Sequence, residues 1–263
     1  MILDPINSVA SIDFYKKISG QSLGRSFLYV CYIAALFSVV STFALKIKVG
    51  PVIDETFQWL ERTMPPLTYE NGKVTSTLAA PLKLQHPRLP EVSLVIDTNR
   101  LDAVTPQQMA EAKALAFLTA SAFYLRQQNG KLEVYDLSKS PAGAKPVQIN
   151  SAFFQNADLI MGRVLYPVAL VIFFTLFLAW KAFASIVYSL AALLINALAN
   201  GGLGYSSLLT IAIYAQTLAV GFLAVSLFLP FNIPGFSLIC LLITSFYIWL
   251  AVKRPSPLPS PSV

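Results

Sequence analysis

Side chains able to do chemistry are few and scattered in this chain. The one histidine, His86, stands between Gln85 and Pro87. A metal centre needs several Cys, His or carboxylate ligands at a recognisable spacing, and neither HExxH nor CxxC occurs. His86 is therefore expected in a surface loop, and no metal or other cofactor is expected. Asp97-Thr98 could supply a nucleophile or a ligand at the end of a strand. With no second carboxylate or base at a fixed spacing from it, an Asx turn accounts for the pair better. Cys31 and Cys240, both in apolar runs, exclude a disulfide scaffold.

From Leu159 onward there is no Asp, Glu or His. A carboxylate proton relay, a serine–histidine protease site and a metal- or histidine-dependent phosphotransfer site all lack their residues there. What remains is a candidate polar membrane face of Tyr188, Asn196, Asn200 and Gln216. Asn196 and Asn200 are four apart and would share a helix face, with Tyr188 and Ser189 about two turns earlier. Such a face could line a polar route for a solute, or could hydrogen-bond between packed helices. The second reading is favoured for groups so few and uncharged. Gly201, Gly202 and Gly204 follow no strand and fit a turn rather than a phosphate-binding loop. Thr210, Thr217, Gly221 and Ala224 recur at helical spacing and would present a small-residue surface to a neighbouring helix.

The elements that must position these residues follow from composition. The 263 residues are 56% hydrophobic and only 12% charged, with a mean hydropathy of +0.63. Ordinary soluble domains carry about 25% charged residues, so part of this chain must be covered by lipid. A spanning helix needs about 20 apolar residues. Residues 27–45 supply the first, bounded by Arg25, Lys46 and Lys48, whose long side chains can reach headgroups. This run is too long and too far from the start for a cleaved signal core. Residues 164–180 supply another, between Arg163 and Lys181. No charge occurs from Ala182 to Val252. Breakers at 200–204 and 230–235 divide that stretch into spans at 182–199, 207–229 and 236–252. Five spans result, with Lys181 marking the boundary between the second and third. Basic residues near the span ends are almost evenly split between the two sides. The N-terminus is assigned to the cytoplasm because Lys16, Lys17 and Arg25 lie on an amphipathic lead-in over 12–28.

Between the first two spans the composition changes. Residues 49–158 hold eleven of the thirteen acidic residues against ten Lys and Arg, so the segment is nearly neutral. Residues 51–62 predict a short amphipathic helix continuing out of the membrane. Residues 67–75 predict a hairpin about Asn71-Gly72, because that pair tolerates the positive φ of a tight turn. Residues 91–98 predict a strand, and Thr105-Pro106 opens a helix to about Lys113. Residues 117–126 and 132–137 predict a second hairpin about Asn129-Gly130. The expected organisation is mainly α and polytopic. It comprises an amphipathic segment (1–26), a first span (27–45), a soluble α+β domain outside the cytoplasm (49–158), a four-helix membrane bundle (159–252) and a disordered Pro/Ser tail (253–263).

Several strings carry a family resemblance: FYKKISGQSLGRSFLYV (14–30), MPPLTYENGKVTS (64–76) and VSLVIDTN (92–99). With YSLAALLINALANGGLGYSSLLTIAIYAQTL (188–218) and LPFNIPGFSLICLLITSFYIWLAVKR (229–254), the chain resembles the bacterial membrane family called domain of unknown function 1189. Its tail is more loosely similar to bacterial Yip1-like membrane proteins. The resemblance implies a five-span or similar membrane protein with a soluble insert after its first span, and it implies no known reaction; the expected location is the cytoplasmic membrane. The expected role is non-enzymatic, with the insert sensing, docking or organising a complex. The alternative is a transporter, or its accessory subunit, for a small neutral solute or lipid. Expected partners are the lipid bilayer and another membrane or extracytoplasmic protein. A homo-oligomer is compatible with the sequence, and no basic, aromatic motif for nucleic acid occurs.

Overall fold

A computed structural model describes residues 2–78, 81–89, 92–100, 102–127, 129–139, 145–231 and 233–253. The expected tail at 255–263, together with Glu91, Asn232 and Arg254, lies outside the described residues. In chain order the elements are α1 (Asp4–Ala10), α2 (Asp13–Ser19), α3 (Leu23–Thr63), β1 (Leu67–Glu70), β2 (Lys73–Ser76), β3 (Leu82–Gln85) and β4 (Ser93–Asp97). These are followed by α4 (Pro106–Glu111), β5 (Ala116–Thr119), β6 (Ala122–Arg126), β7 (Leu132–Asp136), a 3-10 turn (Leu137–Lys139) and β8 (Val147–Ile149). The chain closes with α5 (Ser151–Leu198), α6 (Tyr205–Ala215), α7 (Thr217–Ser226) and α8 (Phe236–Lys253). Two compact units result: Met1–Ile47 with Leu165–Val263, and Lys48–Val164.

Among the described residues four helices are long and apolar enough to cross a membrane: Leu23–Thr63, Ser151–Leu198, Tyr205–Ser226 and Phe236–Lys253. Five spans were expected and four such helices are found among the described residues, because residues 164–180 and 182–198 lie in one continuous helix through Lys181. The reason is local. The sequence there holds no Gly or Pro to stop the helix, and Lys181 turns its ammonium toward Gln216 of the neighbouring pair α6–α7. The helix expected at 51–62 as a continuation out of the first span is found as the last part of α3, which accepts Pro51 inside it. The lead-in expected over 12–28 is divided between α2 and the start of α3.

The core of this unit is aromatic and small. Tyr29 stacks on Tyr214 at 3.9 Å, and Phe37 on Phe177 at 3.9 Å. Tyr15 and Ile18 bury one face of α2 against Leu208, Ile211 and Ile248. Hydroxyls lace α3 to α6 and α7, with Ser26 Oγ to Thr210 Oγ1 at 3.0 Å and Tyr29 Oη to Thr217 Oγ1 at 2.8 Å. Two members of the small-residue pattern, Thr210 and Thr217, thus face α3, while Gly221 is exposed. Conversely, Trp180 is 61%, Leu194 64% and Leu198 77% exposed along α5. Apolar surface that continuous is compatible with a lipid surround.

The insert unit is built on two sheets, ordered β2-β1-β8 and β3-β4-β5-β6-β7. Asn71 (φ 49°) and Gly72 (φ 78°) make the first turn, and β1 and β2 pair from Leu67↔Ser76 to Glu70↔Lys73. Strands β4 and β5 are parallel, so the chain between them must cross over. That crossover contains α4, whose start is fixed by a reciprocal capping box between Thr105 and Gln108 and whose Met109 is fully buried. The strand expected over 117–126 is in fact a hairpin of β5 and β6. The turn lacks Gly and Pro. Instead Thr119 Oγ1 donates to Ala122 O at 3.0 Å and accepts from Ala122 N at 3.1 Å, so a side chain does what a backbone turn residue usually does.

Candidate functional site

The four residues of the expected polar face are held in three different places. Asn200 is not on a helix face at all. It adopts φ 50° after α5 ends, its N–H reaches Ala197 O at 3.2 Å, and Gly201 N–H reaches Asn196 O at 2.8 Å. This pair of bonds is a Schellman C-cap, which satisfies the carbonyls a helix end leaves open. Asn196 Nδ2 donates to Leu203 O at 3.2 Å across the same turn, and its Oδ1 is buried without a hydrogen-bond partner among the described residues. Gly201 packs directly on that amide. Tyr188 packs, half-buried, against the aromatic core.

Gln216 occupies the third place, and it brings with it residues that spacing did not single out. The helix pauses there for one residue between α6 and α7. Its backbone N–H turns to Tyr214 O, while its side-chain Nε2 donates to Ala212 O at 3.1 Å and to Ser185 Oγ at 2.9 Å. Lys181 Nζ lies 3.5 Å from Gln216 Oε1 and 5.5 Å above the Phe177 ring. A small cavity of about 20 Å³ opens beside them, walled by Tyr29, Ile33, Ser185, Thr217 and Val220. That is room for a compact group, not for a drug-sized ligand. Lys181 had marked a span boundary in the sequence. The signal that could have placed it inside is that uncharged runs flank it on both sides with no breaker at the join.

A second, larger concavity lies within the insert. It measures about 440 Å³ and is walled by Leu118, Phe123, Tyr135, Val147, Ile149 and Phe153 among others. Two sheet edges, β7 and β8, contribute to its walls. Beside it, Tyr135 Oη donates to Glu133 Oε1 at 2.7 Å. Hydrogen bonds from Tyr135 and then Gln127 hold the Glu133 carboxyl below the usual range, and Tyr135 is raised in turn. Asp136 is held low by the Ser138 hydroxyl and then by the Ser138 N–H.

His86 is not in a surface loop: it is 2% exposed. Its Nδ1 accepts from Arg88 N and Leu89 N, both at 3.2 Å, and its Nε2 lies 3.2 Å from Thr56 Oγ1. Two donors on Nδ1 assign the proton to Nε2, and the ring packs edge-on against Trp59 at 5.2 Å. The histidine is a fastener between α3 and the β3–β4 loop. Asp97 ends β4, and its carbonyl accepts from Arg100 N at 3.3 Å.

Fold and sites together define a class: a mainly helical protein with four candidate spans and a small α+β unit inserted after the first. The chain belongs to the family described as "Protein of unknown function (DUF1189)", which matches it over residues 6–252. No curated protein and no solved structure matches it.

Proposed function

We propose that the chain is a four-span integral membrane protein whose insert docks an extended, apolar polypeptide segment of a partner. The groove between β7 and β8 carries this reading. Its volume of about 440 Å³ falls in the range of ligand pockets, roughly 300–1,000 Å³. Its walls are almost wholly apolar, which suits docking better than catalysis. Strand edges also offer rows of backbone N–H and C=O groups. A polypeptide can satisfy those rows by adding a strand, whereas an acyl chain cannot.

Four spans also bear on sidedness. An even count returns the C-terminal end to the side of the N-terminus, reversing the side expected for residues 255–263. Lys16, Lys17, Arg25, Lys253 and Arg254 then lie together, against Lys46, Lys48 and Arg163 on the insert's side. Five basic residues against three favour the two ends on the cytoplasmic side and the insert away from it.

The test is photo-crosslinking in native membranes from a benzoylphenylalanine placed at Val147 of the full chain, with a second at exposed Glu111 as control. An adduct to one polypeptide from position 147, absent from 111 and lost on adding Leu118→Lys, is the expected result. An adduct pattern identical at both positions, or one that ignores Leu118→Lys, overturns the docking role.

A further inference from the structure

Lys181 poses an electrostatic problem that the docking role leaves untouched. Its ammonium sits on α5 between two uncharged stretches, 164–180 and 182–198, and a charged group set in apolar surroundings is costly without compensation. Among the described residues no ion pair reaches it. No carboxylate follows Asp158 in sequence either. The compensation present is one long contact to Gln216 Oε1 and the face of Phe177, weak partners for three N–H donors.

The pause at Gln216 adds to the positive character of the cavity. At the end of α6 two carbonyls are bonded by side chains: Ala212 O by Gln216 Nε2 at 3.1 Å, and Tyr214 O by Thr217 Oγ1 at 2.7 Å. At the start of α7 no side chain caps the first turn, and Thr217 and Val220 of that turn line the cavity. Side chains thus bond carbonyls at the end of one helix, while none caps the start of the next, which favours positive character at the cavity. Half-helices that meet an apolar unit's interior in this way are a recurring means of holding an anion.

We propose that the cavity beside Lys181 binds one compact monovalent anion. The ammonium is its counter-charge, and the walls of Ile33 and Val220 exclude larger or multiply charged groups. About 20 Å³ accommodates a halide or a carboxylate head. The latter would leave an acyl tail on the apolar outer surface of α5, which Lys181, only half-buried, borders. The two sources, free anion and lipid carboxylate, share this chemistry.

The full chain in nanodiscs of zwitterionic lipid would be melted with chloride against sulfate at equal ionic strength, and with laurate against lauryl alcohol. A ligand that binds only the folded state raises the melting temperature, by roughly 5 °C once it exceeds its dissociation constant a hundredfold. A rise with laurate but not with the alcohol, kept in Lys181→Arg and lost in Lys181→Met and Lys181→Gln, supports the site and assigns it to lipid carboxylates. A rise with chloride showing the same dependence supports it and assigns it to free anions. If neither anion shifts the wild type more than it shifts both neutral variants, the proposal fails. Should Lys181→Met not fold, Lys181→Gln, which keeps a polar group of similar reach, decides alone.

Discussion

Replacing Gly72 with Ala should damage the insert far more than the same change at Gly130, although both glycines sit in hairpin turns at φ 78°. Each variant forces a side chain into the left-handed region, at a cost of about 1–2 kcal/mol. At Gly130 that is the whole effect, because an added Cβ meets nothing within 4 Å. At Gly72 the Cβ comes 2.9 Å from Ser138 Cα, 3.1 Å from Ser138 O and 3.2 Å from Leu137 O. Those are backbone atoms, and they are tied in place. Leu137 O accepts from Tyr69 Oη at 2.9 Å, and Ser138 N donates to Asp136 Oδ1 at 3.0 Å. Relieving the clash strains or breaks those bonds, adding about 1–3 kcal/mol of overpacking cost. Gly72→Ala should therefore total about 3–4 kcal/mol, and a difference of ~2 kcal/mol between the variants corresponds to roughly 10 °C in a unit of this size. Protease cleavage of the insert against temperature, in the full chain held in membranes, measures it. Equal losses at the two positions would refute the packing of the first turn on the 3-10 segment.

Three further outcomes follow from named contacts. His86→Leu strips Arg88 N and Leu89 N of their acceptor and should destabilise the insert by about 2 kcal/mol or more, with His86→Asn milder; the same proteolysis assay reads both. Asn200→Gly should be neutral or slightly stabilising and Asn200→Leu should cost about 1 kcal/mol, as seen in melting of the full chain; a loss of membrane-protein function from the glycine variant would instead favour a solute-lining role. Asp136 and Glu133 have folded pKa values below their unfolded ones. The stability they contribute is complete above about pH 5 and is lost as pH falls through the depressed values. Ser138→Ala should shallow that acid loss, and an unchanged acid limb in the melting profile would count against the Asp136 bonds.

The apolar runs, the inserted α+β unit and the Asn71-Gly72 hairpin were legible because each is written locally. Hydropathy over some twenty residues, or a dipeptide that tolerates positive φ, decides such an element almost alone. The Thr105 cap was legible for the same reason, with the helix ending at Glu111 two residues early. The β5–β6 turn was hidden because a threonine hydroxyl, not a Gly or Pro, makes it. His86 looked exposed because Thr56 and Trp59, which meet its ring, come from α3, about thirty residues upstream.

From the sequence alone came the partition between greasy helices and a nearly neutral insert, since that depends only on composition along the chain. Tertiary structure decided the number of candidate spans, because Lys181 ends a helix only if its charge must leave for water, and here it turns inward to Gln216, thirty-five residues away. It also decided that Asn196 and Asn200 cap a turn while Lys181, Ser185 and Gln216 share a cavity. Hydrogen-bond partners and cavities belong to pairs of residues that only folding brings together, and no local pattern encodes which pairs those will be.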